Sequence, residues 1–275
     1  MDALLAPFAE QYMQRAFVAA LVVGLLCSTM GTYVVLRKLS FIGDGLAHAS
    51  FAGIVIAYLR GLNYAFGAAV VTVVTALGIG YVHRRAKISL DTTIGVLFTA
   101  AFALGIFLMT HYSRSSVDLQ SYLFGSILGV SQSDLLMIVG LALFVGIVVA
   151  AFYRPLLYTS FDPIVAEAAG IRAPFIENVL LVLLSLTIIV SLQLVGIILV
   201  AALLVTPAAS AAQLTKRFVP MMVISGVFGV VSSVGGLYLS YTIGSASGAT
   251  MVLLATLLFF VSMGVSAVRR RRLSL

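Results

Sequence analysis

Nine stretches of mostly apolar residues follow one another along this chain, at about 16–36, 41–59, 64–82, 92–112, 134–153, 176–192, 195–214, 219–240 and 248–267. Each is close to the ~20 residues that a helix needs to cross the hydrocarbon core of a bilayer. This pattern predicts an all-α integral membrane protein, a polytopic bundle filling residues 1–275 as a single transmembrane domain. The run from Asn178 to Leu214 is too long for one helix, and Gln193 and Gly196 offer the only break. Splitting there gives nine spans; a kinked single span or a re-entrant segment gives eight. "SYLFGSILGVS" (121–131) is apolar but too short to cross. Composition agrees: 62% of the 275 residues are hydrophobic and 9% are charged, where a soluble domain carries about a quarter charged. The 24 glycines suit helices packed closely in lipid.

The formal charge of +7 belongs to orientation rather than to nucleic acid, because the basic residues fall between the apolar runs. With the N-terminus outside, 13 Lys and Arg lie on the inner side: Arg37, Lys38, Arg84, Arg85, Lys87, Arg154, Arg172, Lys216, Arg217 and 269–272. Arg15, Arg60 and Arg114, three in all, lie outside. That bias sets the N-terminus outside and the C-terminus in the cytoplasm, and it requires an odd number of spans. The basic tail, 268–275, reads as an inner-face anchor that meets anionic lipid. The first 14 residues hold no Lys or Arg, so the basic start of a cleavable signal peptide is missing. Residues 1–15 read as a short amphipathic helix lying in the interface. The lone Cys27 excludes an internal disulfide and a multi-thiolate metal site, and reads as a packing residue. No GxxxxGK[ST] loop, GxSxG or HExxH occurs, so the chain neither hydrolyses ATP by that route nor carries a common hydrolase centre.

Of nine acidic residues, eight fall at the ends of apolar runs or between them; the exception is Asp44. Counted inward from Lys38, it lies about one and a half turns into a span, with His48 one turn deeper. A charge at that depth costs about 2.5–3.5 kcal/mol on insertion scales, so it needs a partner or a use. Residues four apart share one helix face. A carboxylate oxygen and an imidazole nitrogen then face one volume, and both bind zinc, manganese or ferrous iron. One chain supplies two donors and a two-fold dimer four. The competing reading is polar glue, in which the two bond each other or a neighbouring helix. His83 reads as solvated, His111 as the outer end of the fourth span, and Asp91 as a helix N-cap.

The second informative stretch is "TSFDPIVAEAAGIRAPF" (159–175) on the inner side. Asp162 before Pro163 predicts an N-cap with proline at the first helical position, and Gly170 a helix end. A short helix thus sits in a loop at 155–174, either as a plain connector or as a docking element for a cytoplasmic partner.

Together these stretches resemble the permease subunits of ATP-binding-cassette importers for zinc, manganese and iron. The resemblance rests on "FIGDGLAHASFAGI", "DTTIGVLFTAAFALGI" (91–106), "LFGSILGV" (123–130) and "FDPIVAEAAGI" (161–171), in that order. It implies a homodimer, or a pair of like permeases, forming one pathway lined by Asp44 and His48. It implies two ATPase subunits docked on an element containing Asp162, Glu167 and Gly170. It implies an extracytoplasmic binding protein that delivers the metal. The chain is then a transporter subunit of a bacterial inner membrane rather than an enzyme. It holds no permanent cofactor, and a divalent ion passes through as cargo. The "GDGLAHASFAG" segment leans toward zinc. Rival readings are a stand-alone secondary transporter or channel using Asp44 and His48 as a proton or ion relay, and an intramembrane metal hydrolase, which would need more polar groups at mid-depth.

Overall fold

The computed structural model describes residues 10–112 and 127–273, and no strand occurs among them. Four long helices come first: α1 (Gln11–Leu36), α2 (Ile42–Arg60), α3 (Tyr64–Ala86) and α4 (Leu90–Tyr112). A 3₁₀ turn at Ile127–Gly129 precedes α5 (Gln132–Ala151). Two short helices follow, α6 (Tyr153–Phe161) and α7 (Pro163–Ala168). The remainder is α8 (Ala173–Val195), α9 (Ile197–Leu214), α10 (Phe218–Ile243) and α11 (Ser247–Leu273). Among the described residues, eight helices are long and apolar enough to cross a bilayer, and α9 is a shorter ninth apolar helix.

The break expected at Gln193 and Gly196 is present. Gly196 alone separates α8 from α9, at φ 79° and ψ 169°. That conformation is open essentially to glycine only. Pro207 lies inside α9 without ending it. Of the interfacial helix expected over 1–15, residues 1–9 lie outside the described residues, and residues 11–15 are the first turns of α1 instead. Most of the segment at 121–131 also lies outside them. The loop expected at 155–174 is mostly helical, with Pro155 in the first turn of α6 and Pro174 in that of α8.

In the bundle, α1, α2 and α8 are the most enclosed helices, while α4 and α5 are the least. α1 packs against α10, α9, α5 and α8. α2 is held between α3 and α4, with α9 on a further side. The α2–α3 crossing is made by Gly53 and Gly67: a Cβ on either would run into the backbone of the other. Backbones this close replace the hydrophobic driving force that is missing between helices in lipid.

Candidate metal site and docking element

α2 begins at Ile42, so Asp44 lies in its first turn and His48 in its second. The pair therefore sits nearer the start of the helix than counting from Lys38 implies. The N-cap residue Phe41 makes no side-chain cap. A carboxylate in that first turn is favoured by the helix dipole and its unpaired N–H groups.

His48 Nδ1 lies 2.9 Å from the Asp44 main-chain carbonyl and 3.4 Å from Asp44 Oδ1. A carbonyl only accepts, so this geometry assigns a proton to Nδ1 and turns Nε2 away from the contact. Fixing one ring nitrogen on a carbonyl is how ligating histidines are oriented. The two side chains do meet, as the spacing predicts. They do so through Nδ1, and the donors left for an ion are Nε2 and the free carboxylate oxygen.

Most neighbours in these turns are buried, yet the Asp44 side chain is 47% and the His48 side chain 27% exposed. The pair opens out of the single chain. α4 forms the other wall. The His48 ring meets Phe102 edge-on at 5.4 Å and tilts against Phe98 at 6.1 Å. Gly45 lets α4 come in close, since a Cβ there would strike Ile94 at 2.8 Å. Among the described residues no group of three or more His, Cys, Asp or Glu could hold a metal. One chain thus offers two donors here and needs others to complete a coordination shell.

The remaining candidates lie elsewhere. Cys27 is buried and shares a 3.1 Å hydrogen bond with Ser191. His83 Nδ1 meets the Ile88 carbonyl at 2.6 Å, and His111 stacks on Phe107. Asp91 is in the first turn of α4 but does not cap it: the Ser89 hydroxyl accepts from the Thr92 N–H at 3.1 Å.

On α7 the local chemistry is as the sequence predicts. Asp162 Oδ1 accepts from the N–H groups of Ile164 (2.9 Å) and Val165 (3.1 Å), with Pro163 first in the helix. Gly170, at φ 83°, ends it. The Ile171 N–H bonds the Ala166 carbonyl and the Gly170 N–H that of Glu167, a paired closure that favours glycine. Asp162, Glu167 and Gly170 are all exposed. The Asp162 carboxylate is engaged in shaping the helix. The surface around it is apolar: Phe161 is 60%, Ile164 79%, Val165 63% and Phe175 55% exposed. A cleft of about 500 Å³ beside it is lined by Glu167, Gly170, Ile171, Arg172, Pro174 and Phe175. Ile164 and Val165 were not singled out from the sequence. Their signal was two adjacent bulky apolar residues in a capped helix too short to bury both.

The family described as "ABC 3 transport family" matches residues 9–266. A "Manganese transport system membrane protein MntC" from Halalkalibacterium halodurans is 46% identical over 248 residues, 90% of this chain and 85% of that protein. A "Probable iron transport system membrane protein" from Haemophilus influenzae is 35% identical over 270 residues, 98% of this chain and 99% of that protein. Among solved structures, "PsaBC from Streptococcus pneumoniae in complex with Fab" superposes with a TM-score of 0.81 at 35% identity, covering 92% of this chain and 91% of that one.

Proposed function

The chain belongs to the ABC 3 transport family, and from that premise we propose that it carries manganese, passing the ion through a site that Asp44 and His48 form at the meeting of two copies. It is the membrane-spanning permease subunit of an ATP-driven bacterial metal importer. ATP hydrolysis belongs to a separate ATPase subunit, and an extracytoplasmic binding protein brings the metal. These roles leave the permease to bind, shelter and release.

The observation that carries the reading is the half-open Asp44–His48 pair at the start of an otherwise enclosed helix. One carboxylate and one imidazole from each copy of a two-fold pair supply four donors. No thiolate takes part, since Cys27 is engaged with Ser191. Carboxylate with imidazole accommodates manganese, ferrous iron and zinc alike, so the donor set alone does not choose among them. The names of relatives such as MntC favour manganese over zinc, so the sequence's lean toward zinc is not retained. The excess of Lys and Arg on one side supports a cytoplasmic C-terminus.

In the cycle, the loaded binding protein docks on the outer face. Two ATPase subunits press on α6 and α7 through the exposed Ile164 and Val165, with Glu167 and Gly170 at the edge of the contact. The helices then switch, and Asp44 and His48 face each side in turn. The donors hold the ion weakly, because a site that must release does not trap. A self-sufficient transporter would leave that exposed apolar surface without a partner.

The test is uptake of radioactive manganese, zinc and iron, each alone, in cells lacking their own importers. The cells express the permease with its ATPase and binding protein. Asp44→Asn and His48→Ala should insert at wild-type levels and cut manganese uptake at least ~10-fold, the scale of losing a metal-site contact. Wild-type rates in both variants would make the pair structural. Zinc as the best-transported ion would overturn the metal assignment alone.

A further inference from the structure

Below α2, at the end of the bundle that carries α6 and α7, lies a polar cluster that the transport reading does not use. Arg37 closes α1. Its Nε donates to Ser160 Oγ at 2.9 Å and its Nη2 to Thr159 Oγ1 at 2.8 Å. Both hydroxyls belong to α6 and both pass their own hydrogen one turn back, Thr159 to the Pro155 carbonyl at 2.8 Å and Ser160 to that of Leu156 at 2.6 Å. Their lone pairs are thereby aimed at the guanidinium. A planar fork fits two acceptors at once, which an ammonium does not.

The chain between Arg37 and the metal pair is short and stiff. Lys38 adopts a left-handed conformation at φ 58°. The Lys38 N–H bonds Val35, Leu39 bonds Val34, Ile42 bonds Leu39 and Gly45 bonds Phe41, all to main-chain carbonyls. Leu39 is 2% exposed. So seven residues after Arg37, with almost no slack, comes Asp44.

A second tie lies on the other flank of α2. Arg84, in the last turn of α3, meets Glu177 Oε2 at 3.4 Å and donates to Asn178 Oδ1 at 3.1 Å, both on α8. Glu177 Oε1 is buried and has no hydrogen-bond partner among the described residues. It also lies within electrostatic reach of Arg37, whose guanidinium burial pulls below its ordinary pKa and whose charge Glu177 supports.

We propose that Arg37 is a positioning residue for transport: its fork on Thr159 and Ser160 ties the docking helices to the turn that sets Asp44, so that movement of α6 moves the start of α2. The proposal rests on the importer reading above. It assigns Arg37 no contact with the ion.

The experiment uses the complete complex of permease, ATPase and binding protein in proteoliposomes, with Mn²⁺ as the probe and both uptake and ATP hydrolysis followed. Arg37→Gln should keep hydrolysis within about twofold of wild type and lower manganese moved per ATP at least ~5-fold, a loss within the range for a contact in one network. Arg37→Lys, which keeps the charge and loses the fork, should fall between. Thr159→Val combined with Ser160→Ala should uncouple to the same extent, and adding Arg37→Gln should cost nothing more. Unchanged manganese per ATP in either variant overturns the proposal. So does a parallel fall of hydrolysis and uptake, the mark of a merely structural role. Should Arg37→Gln not assemble, the hydroxyl pair decides alone. If the wild-type complex moves zinc or iron but no manganese, the metal assignment has failed and the same ratios are read with that ion; if it moves none of the three, the importer reading has failed instead.

Discussion

Asp44 and His48 meet through a single ring nitrogen. The His48 Nδ1–H is spent on the Asp44 carbonyl, which fixes the ring. The i, i+4 spacing and the residue types were legible in the sequence because one helix turn fixes both. The use of Nδ1 was not, since it depends on a rotamer set against Phe98 and Phe102 of another helix. Gly196 shows the same division. Its place as a break was readable; its need for glycine follows from φ 79° and ψ 169°. Gly196→Ala should therefore destabilise the detergent-purified protein by about 1–3 kcal/mol, the cost of holding a side chain in that region. Gly95→Ala is the contrast: it lies within α4, and a Cβ there meets nothing within 4 Å. Helix propensity favours alanine there by up to ~1 kcal/mol. Thermal unfolding midpoints should fall for the first and hold or rise for the second; the reverse order would contradict the reading of Gly196.

At the scale of elements, α7 was legible and α6 was not. Asp162, Pro163 and Gly170 each act on the backbone within a few residues, so the sequence states the helix directly. Pro155 read instead as the edge of a loop. It is the third residue of α6, where the missing N–H is one the helix would leave unpaired in any case. The docking account predicts that Ile164→Asp or Val165→Asp, both on exposed positions, will leave the permease in the membrane at normal levels. Recovery of the ATPase on the permease by affinity pull-down should fall at least ~10-fold, as expected when a charge enters an apolar contact centre. Undiminished recovery from both variants would remove α7 from the interface.

For the whole molecule, the places of the apolar runs were legible because bilayer thickness sets the length of each, while the count stayed open between 176 and 214, where α9 is shorter than the eight spanning helices among the described residues. The order of burial was not legible. Helices apolar all round give no sign of which face meets protein and which meets lipid, so α4 and α5 read like α8 yet are far more exposed. Links between distant residues, such as Arg37 with Thr159 across 122 positions, leave no local trace. The exposure of the Asp44–His48 pair is a matter of tertiary packing too, and in the proposed site its completion lies outside the chain. Mixed pairs test this most directly. Wild-type and Asp44→Asn, His48→Ala permeases, each with its own tag, are co-expressed with the ATPase and binding protein, and pairs holding one of each are isolated and reconstituted. A site shared across the pair predicts manganese uptake at least ~10-fold below wild type from the mixed pair, since one damaged half spoils the only site. About half of wild-type uptake, the result for two independent sites each served by its own copy, would contradict a shared metal site.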